Sequence, residues 1–393
     1  MKKRKFALVL SGGGFKGAFQ LGALNYINEN WQKITGLSTP MKFDIIAGVS
    51  VGALNGSLLA MDKLSLLNDL WVHQIARNGV SEIYTSDFID TSSKSDKVKL
   101  KLDLKQIAKR LIPEVNIKLN FLSKLGLIFS KEKRKKIIET ILEDVQAGIK
   151  ANLPNLKAIA DNTPLKKKLQ KYLDRNDIKD TSLLCGFVSL DSGKYHGVLH
   201  QEFASENDFV NGVLASTSIP MIWNPVSEIK FHSREGITSS KNNVDGGIRN
   251  VSPLGDVIKL INEDPEDCEY NLIVVNCNSG SLKEENFDNK NIGAIAARSV
   301  YEIALTEIFN NDVDHFVKVN EIVKQVESSD CSVDLFAGSN KPLKSFKAII
   351  ISPNKDVDLG SSLAANEQLI EKRLVHGANM ARLAFENKDF HNE

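Results

Sequence analysis

The chain has 393 residues, 42% of them hydrophobic and 25% charged. That is ordinary globular composition, and it excludes a disordered chain, a fibre and a disulfide-stapled miniprotein. Lys and Arg number 50 and Asp and Glu 49, so no global charge points to nucleic acid as a partner. Cys185, Cys268, Cys277 and Cys331 lack CxxC spacing and read as buried free thiols of a reducing compartment. No apolar stretch approaches the roughly 20 residues needed to span a bilayer. The basic residues Met1 to Lys5 are followed only by the apolar run 6–10, too short for a signal peptide. The expectation is a soluble cytoplasmic protein.

The apolar run 6–10 ends at glycines and suits a buried parallel strand. Helical spacing follows over 15–30, with Phe15, Phe19, Leu24 and Ile27 near one stripe. Residues 43–47 predict a second strand and 51–61 a small-residue helix. Further strands are predicted at 183–190, 272–277 and 346–351, and helices at 208–216, 254–262, 292–309 and 367–385. Strands alternating with helices imply a three-layer α/β/α fold around a mostly parallel sheet. Between 94 and 136 stand 14 Lys and Arg against 4 Asp and Glu, an excess of +10. We read one catalytic domain over 1–393 with a basic helical insertion at about 90–175.

Gly12-Gly13-Gly14-Phe15-Lys16-Gly17 follows a strand and opens a helix, which satisfies the GxGxxG pattern of dinucleotide sites. That reading needs an acidic residue at the end of the next strand, and Asp44 sits at its start. A P-loop fails because Lys16 precedes the last glycine. Beside the dinucleotide site, which the place of Asp44 disfavours, two further readings stay open. One is an oxyanion hole, whose donors would be backbone N–H groups beside a helix N-terminus. The other is a tight turn with no ligand.

Gly48-Val49-Ser50-Val51-Gly52 is GxSxG between a strand and a helix, the context a nucleophile elbow requires. Gly48 and Gly52 leave room for the strained turn that exposes the Ser50 hydroxyl at the C-terminal edge of the sheet. The glycine loop falls on the same edge. A serine nucleophile needs a base. His73 lies in a polar helical stretch, His196 and His200 on a hairpin, and His376 in a late helix. None stands in a Gly-flanked turn. Asp245-Gly246-Gly247 follows the polar stretch 239–243 and could hold a carboxylate at a strand end. It could equally be an ordinary Asp-Gly turn.

Taken together these blocks resemble the patatin-like phospholipase family. The glycine loop Gly12–Gly17, the elbow Gly48–Gly52 and Asp245–Gly247 occur in that family's order. Ala215-Ser216-Thr217-Ser218-Ile219-Pro220 and Asp161-Asn162-Thr163-Pro164-Leu165 resemble further stretches of it. The resemblance covers about 1–90 and 155–260 well and the C-terminal third loosely. It implies Ser50 as nucleophile and Asp245 as base of a Ser–Asp dyad without histidine. It further implies Gly12, Gly13 and Gly14 as the oxyanion hole, Lys16 as support for that loop, and Gly17, Gly48, Gly52, Gly246 and Gly247 as motif glycines. The implied reaction is hydrolysis of phospholipid or other lipid esters, with no metal and no cofactor. A partner-triggered effector and a catalytically silent binding protein are the alternatives. The basic segment 94–136, with Phe121, Leu122 and Phe129 among its lysines, could contact an anionic membrane peripherally. The polar stretch 227–243 carries no motif.

Overall fold

In a computed structural model the described residues are 3–92, 95–96, 157–266, 268–282, 284–288, 295, 298–329, 335–336, 342–386 and 390. The basic segment 94–136 lies almost wholly outside them. So do most of the insertion expected at 90–175, and Cys331. Cys185, Cys268 and Cys277 are free thiols.

Among the described residues eight strands form one sheet: β1 (Lys3–Leu10), β2 (Ile45–Val49), β3 (Ser182–Ser189), β4 (Tyr195–Leu199), β5 (Val226–Ser233), β6 (Gly236–Asp245), β7 (Cys268–Val275) and β8 (Lys347–Ile351). Strands β3, β2, β1, β7 and β8 run parallel in that order. The central strands are apolar without alternation because both faces are covered. In β1, Phe6, Leu8 and Leu10 point into one core layer, while Ala7 and Val9 point into the other.

The first layer holds α1 (Gly17–Glu29), α2 (Val51–Ala60), α3 (Thr163–Tyr172), α4 (Glu206–Ser216) and the C-terminal helix α7 (Glu367–Glu386). The second is supplied by α5 (Leu254–Glu263) and α6 (Leu305–Glu327), through Leu254, Val257 and Phe316. The three-layer α/β/α fold expected from the sequence is therefore present. No helix among the described residues is long and apolar enough to cross a membrane.

Three elements differ from expectation. The helix expected at 292–309 runs on to Glu327, because Phe309, Phe316 and Val323 recur at seven-residue spacing and are buried. The polar stretch 227–243 is a long antiparallel hairpin of β5 and β6. Only a few of its side chains are buried, so it shows no hydrophobic alternation to read. Helix α1 has no single apolar stripe, since Gly17 to Leu24 are all buried. It lies between the sheet and α7, and small residues allow the approach. A Cβ at Gly22 would stand 2.0 Å from the Leu374 carbonyl oxygen, and one at Gly377 would stand 2.0 Å from that of Phe19.

This contact yields a stability prediction. Gly22→Ala must push α7 off α1, at a cost of about 1–3 kcal/mol. Chemical denaturation should show a lower midpoint, and an unchanged midpoint would mean the two helices are not tightly seated.

Candidate active site

The site is assembled by the edges of β3. Residues Leu184 to Gly186 pair with β2 and also with β4. Phe187 and Val188 pair with β4 and also with β6. Each edge of a strand takes one partner at a time, so β2 and β6 share one edge, end to end. Val49 is opposite Gly186 and Asp245 is opposite Phe187, one residue further on. The end of β2 delivers Ser50 and the end of β6 delivers Asp245 to the same point.

Ser50 has φ +57° and ψ −128°, a conformation L-residues rarely adopt. The surroundings enforce it. Ser50 donates its N–H to Ser216 Oγ at 2.9 Å, and Ser216 donates in turn to the Gly186 carbonyl at 2.6 Å. The Ser50 carbonyl accepts from the N–H groups of Ala53 and Leu54, starting α2. The tight turn also leaves no room beside it. A Cβ at Gly48 would lie 2.3 Å from the Gly52 oxygen, and one at Gly52 would lie 2.1 Å from the Leu10 oxygen. The elbow that the sequence predicts is therefore present.

Asp245 is buried beside Ser50, and the nearby Ser50 side chain favours its ionised form. The Gly247 N–H donates to Asp245 Oδ1 at 2.8 Å, and the Asp245 N–H donates to the Ser218 carbonyl at 2.9 Å. Gly246 must be glycine for β6 to end here, since a Cβ would stand 2.5 Å from the Gly186 oxygen. Burial pushes the Asp245 carboxyl up to about 7, against the hydrogen bonds from Ser50 and Gly247. No described histidine lines the cavity at Ser50. His196 packs on the rings of Phe187 and Phe231, His200 accepts from the Leu183 N–H, and His376 accepts from the Asn354 N–H.

The glycine loop lies against the elbow, with a Gly12 Cβ position 3.3 Å from Ser50 Cβ. Its three glycines are not equivalent. The Gly12 N–H donates to the Val251 carbonyl at 3.0 Å. Gly13, Gly14 and the elbow's Val51 donate to no acceptor among the described residues. Gly13 leans on Cys277, where a Cβ would come within 2.2 Å of the cysteine's own. Gly14 has φ +55° and sits under the Ser362 carbonyl. Lys16 folds in toward Asn278, 3.4 Å away, and burial lowers its ammonium's pKa. Gly17 is packed on Val51, which sets the loop against the elbow.

A residue that the sequence did not single out holds this loop. Arg373 of α7 is fully buried, and its guanidinium donates to four carbonyls: Leu359, Ser361, Ala364 and Phe15. It thereby straps residues 359–364 over the glycine loop, where the Phe15 N–H donates to the Ser362 carbonyl at 2.8 Å. Burial brings its pKa down to about 10. Ser216 and Ser218 lie in the block Ala215–Pro220, whose residue types alone indicate no role. They turn out to anchor Ser50 and Asp245.

From Ser50 an apolar cavity opens, enclosing some 890 Å³ of space not filled by atoms, its mouth included. Among the described residues no cluster of three or more His, Cys, Asp or Glu could hold a metal ion.

The sequence profile of the patatin-like phospholipase family matches residues 8–258. No curated protein matches. A crystal structure of VipD from Legionella pneumophila is similar at 14% identity and a TM-score of 0.38, over 98% of this chain and 67% of that one. A likeness that loose carries no argument, whereas the family profile spans more than half of the chain and includes Ser50, Asp245 and the glycine loop. The chain belongs to the patatin-like phospholipase family.

Proposed function

We propose that this protein is a lipid acyl hydrolase, of phospholipase A or lysophospholipase type, working through Ser50 and Asp245. The observation that carries the reading is that the β2 and β6 ends bring Ser50, at a strained elbow, beside the buried carboxyl of Asp245, whose pKa is raised, at the mouth of an apolar cavity. Family membership supports a carboxylic-ester hydrolase at the coarser level.

In this mechanism Ser50 Oγ attacks the ester carbonyl and Asp245 takes its proton. The oxyanion is received by the free N–H groups of Gly13, Gly14 and Val51, each worth about 3 kcal/mol. Gly12, whose donor is engaged, shapes the wall beside Ser50 instead of donating. Asp245 returns its proton to the departing lysophospholipid or alcohol. Water then attacks the acyl-enzyme, gives its proton to Asp245, and the fatty acid leaves while Ser50 recovers its hydrogen. A base near pKa 7 is neutral or ionised at little cost in either step.

Three expectations follow from this chemistry. Ser50→Ala and Asp245→Asn should each abolish nearly all turnover of a short-chain ester. The double variant should be no worse, because the pair acts as a unit. Substantial turnover by Asp245→Asn would require a different base.

The second concerns pH. Asp245 must be ionised to act as base, so kcat/KM should rise with pH to a plateau, with its midpoint near 7. Stability runs the other way. Between the ordinary carboxyl value of 3.8 and about 7, the unfolded chain has lost the proton that the native state keeps. Native stability therefore falls as pH rises through that window. Asp245→Asn should unfold at a higher temperature than the parent at pH 8, and the gap should close at pH 4. A flat activity profile and a pH-independent gap would refute the assignment.

The third concerns Arg373. A lysine there keeps the charge but cannot reach all four carbonyls. Loosening the strap by about 1 Å over the glycine loop is enough to cost up to about 10² in rate. Arg373→Lys should lower kcat by tenfold or more while KM changes little. A kcat that returns to the parent's value once divided by the folded fraction seen in circular dichroism would indicate a merely structural role.

A further inference from the structure

The cavity behind Ser50 has a direction. Ser50, Val51, Leu54, Asn55 and Leu58 line it, a single stripe along α2. On the facing side Leu165, Lys168, Leu169, Tyr172 and Leu173 form the matching stripe of α3 and its end. The two helices run the same way. At the start of α3, Asn162 reaches Ser218 Oγ at 3.5 Å, and Ser218 holds Asp245. At its end, the Tyr172 carbonyl accepts from Lys63, which follows α2, at 3.2 Å. The cavity therefore leads from the catalytic pair to the far end of both helices.

Its third wall comes from the stretch 67–83, through Leu67, Leu70, Trp71, Ile75 and Ile83. The seam between this wall and α3 is held near its start by the Leu165 N–H, which donates to the Ile83 carbonyl at 3.2 Å, and further along by Lys168. Lys168 Nζ lies 2.6 Å from Glu82 Oε2 and donates to Gln74 Oε1 at 2.7 Å, so an α3 residue is tied twice to the opposite wall. Lys168 holds Glu82 below the usual carboxylate range. The ion pair is mostly shielded, so an alkyl chain leaving through the seam would have to break it.

We propose that this cavity is an acyl-length ruler: a medium-length chain fills it from Ser50 to Leu58, and the Lys168 clasp on Glu82 and Gln74 keeps longer chains out. The inference rests on the esterase reading of Ser50. Eight residues of α2 at 1.5 Å each give about 12 Å. An extended chain advances about 1.2 Å per bond, taking the backbone's ~3.5 Å per three bonds. The cavity thus accepts about ten bonds of alkyl chain, and Leu54, about 6 Å down, marks the halfway point. Leu54 is only half-buried because its side chain faces this space.

The test uses p-nitrophenyl esters of four, ten and sixteen carbons with the parent protein, Leu54→Trp and Lys168→Ala. In parallel, calorimetry follows butyrate, decanoate and palmitate binding to Ser50→Ala, alone and with each second substitution. The parent should prefer the ten-carbon ester. Leu54→Trp should lower the decanoate-to-butyrate ratio of kcat/KM about tenfold or more. Lys168→Ala should raise the palmitate-to-decanoate ratio by a similar factor. Binding to the Ser50→Ala background should show the same ordering. A parent without a ten-carbon optimum, or variants that leave both ratios unchanged, would overturn the ruler. Length-selective binding without turnover of any ester would sink the hydrolase reading and leave the ruler standing.

Discussion

Strand β3 carries a different partner on each edge, and on one of those edges two strands meet end to end. β2 arrives parallel and stops at Val49, and β6 arrives antiparallel and stops at Asp245, one register position further along. Almost everything at the site depends on that abutment. It puts a hydroxyl and a carboxylate from residues 195 positions apart side by side, with no described histidine lining the cavity there. It also explains the glycines. Where two chain ends meet there is no room for a Cβ, and Gly246 lies against the Gly186 oxygen and Val49. Ser216 bridges the Ser50 N–H and the Gly186 carbonyl, so a residue of α4 ties the junction together from above.

The second dependency runs to the far end of the chain. The family match stops at residue 258, yet the loop that faces Ser50 is held by Arg373 and roofed by Ser362. A guanidinium taken wholly out of water is tolerated only if its donors are satisfied. Here they are satisfied by carbonyls, so the charge serves to fold one irregular segment onto another. Helix α7 can carry it so close because Gly22 and Gly377 let α1 and α7 touch backbone to backbone. The C-terminal segment is thus part of the active-site wall as well as cover for the sheet.

These two dependencies mark where the sequence is readable. The parallel strands were legible because burial on both faces removes alternation and leaves plain apolar runs, as at Phe6 to Leu10 and Leu272 to Val275. Ser50 was legible because a strained elbow needs glycines at fixed offsets. The β5–β6 hairpin was not, because most of its side chains face water and look like a polar loop. Its end still mattered, and Asp245 was found by its glycines and the family resemblance, not by the strand that carries it. Arg373 was invisible for another reason. It follows Glu371 and Lys372 in a charged stretch of helix, and nothing local separates a buried guanidinium from a solvated one. Gly12 shows the limit from the opposite side: three glycines read as one donor set, while the fold has already engaged the first with Val251.

The site also works against the fold that builds it. Ser50 is held at positive φ, a conformation that costs of order 1–3 kcal/mol for a side-chain-bearing residue. Asp245 is buried where its ionised form is disfavoured, and the N–H groups of Gly13 and Gly14 stay without acceptors among the described residues. Each is unfavourable in the resting protein, and in the proposed mechanism a reacting ester would relieve the last two, a proton neutralising the carboxylate and an oxyanion satisfying the amides. The two apolar layers on either side of β1 offset these costs. Such pre-set strain, with the surrounding core holding it in place, would let the proposed acid–hydroxyl pair act without rearrangement when substrate arrives.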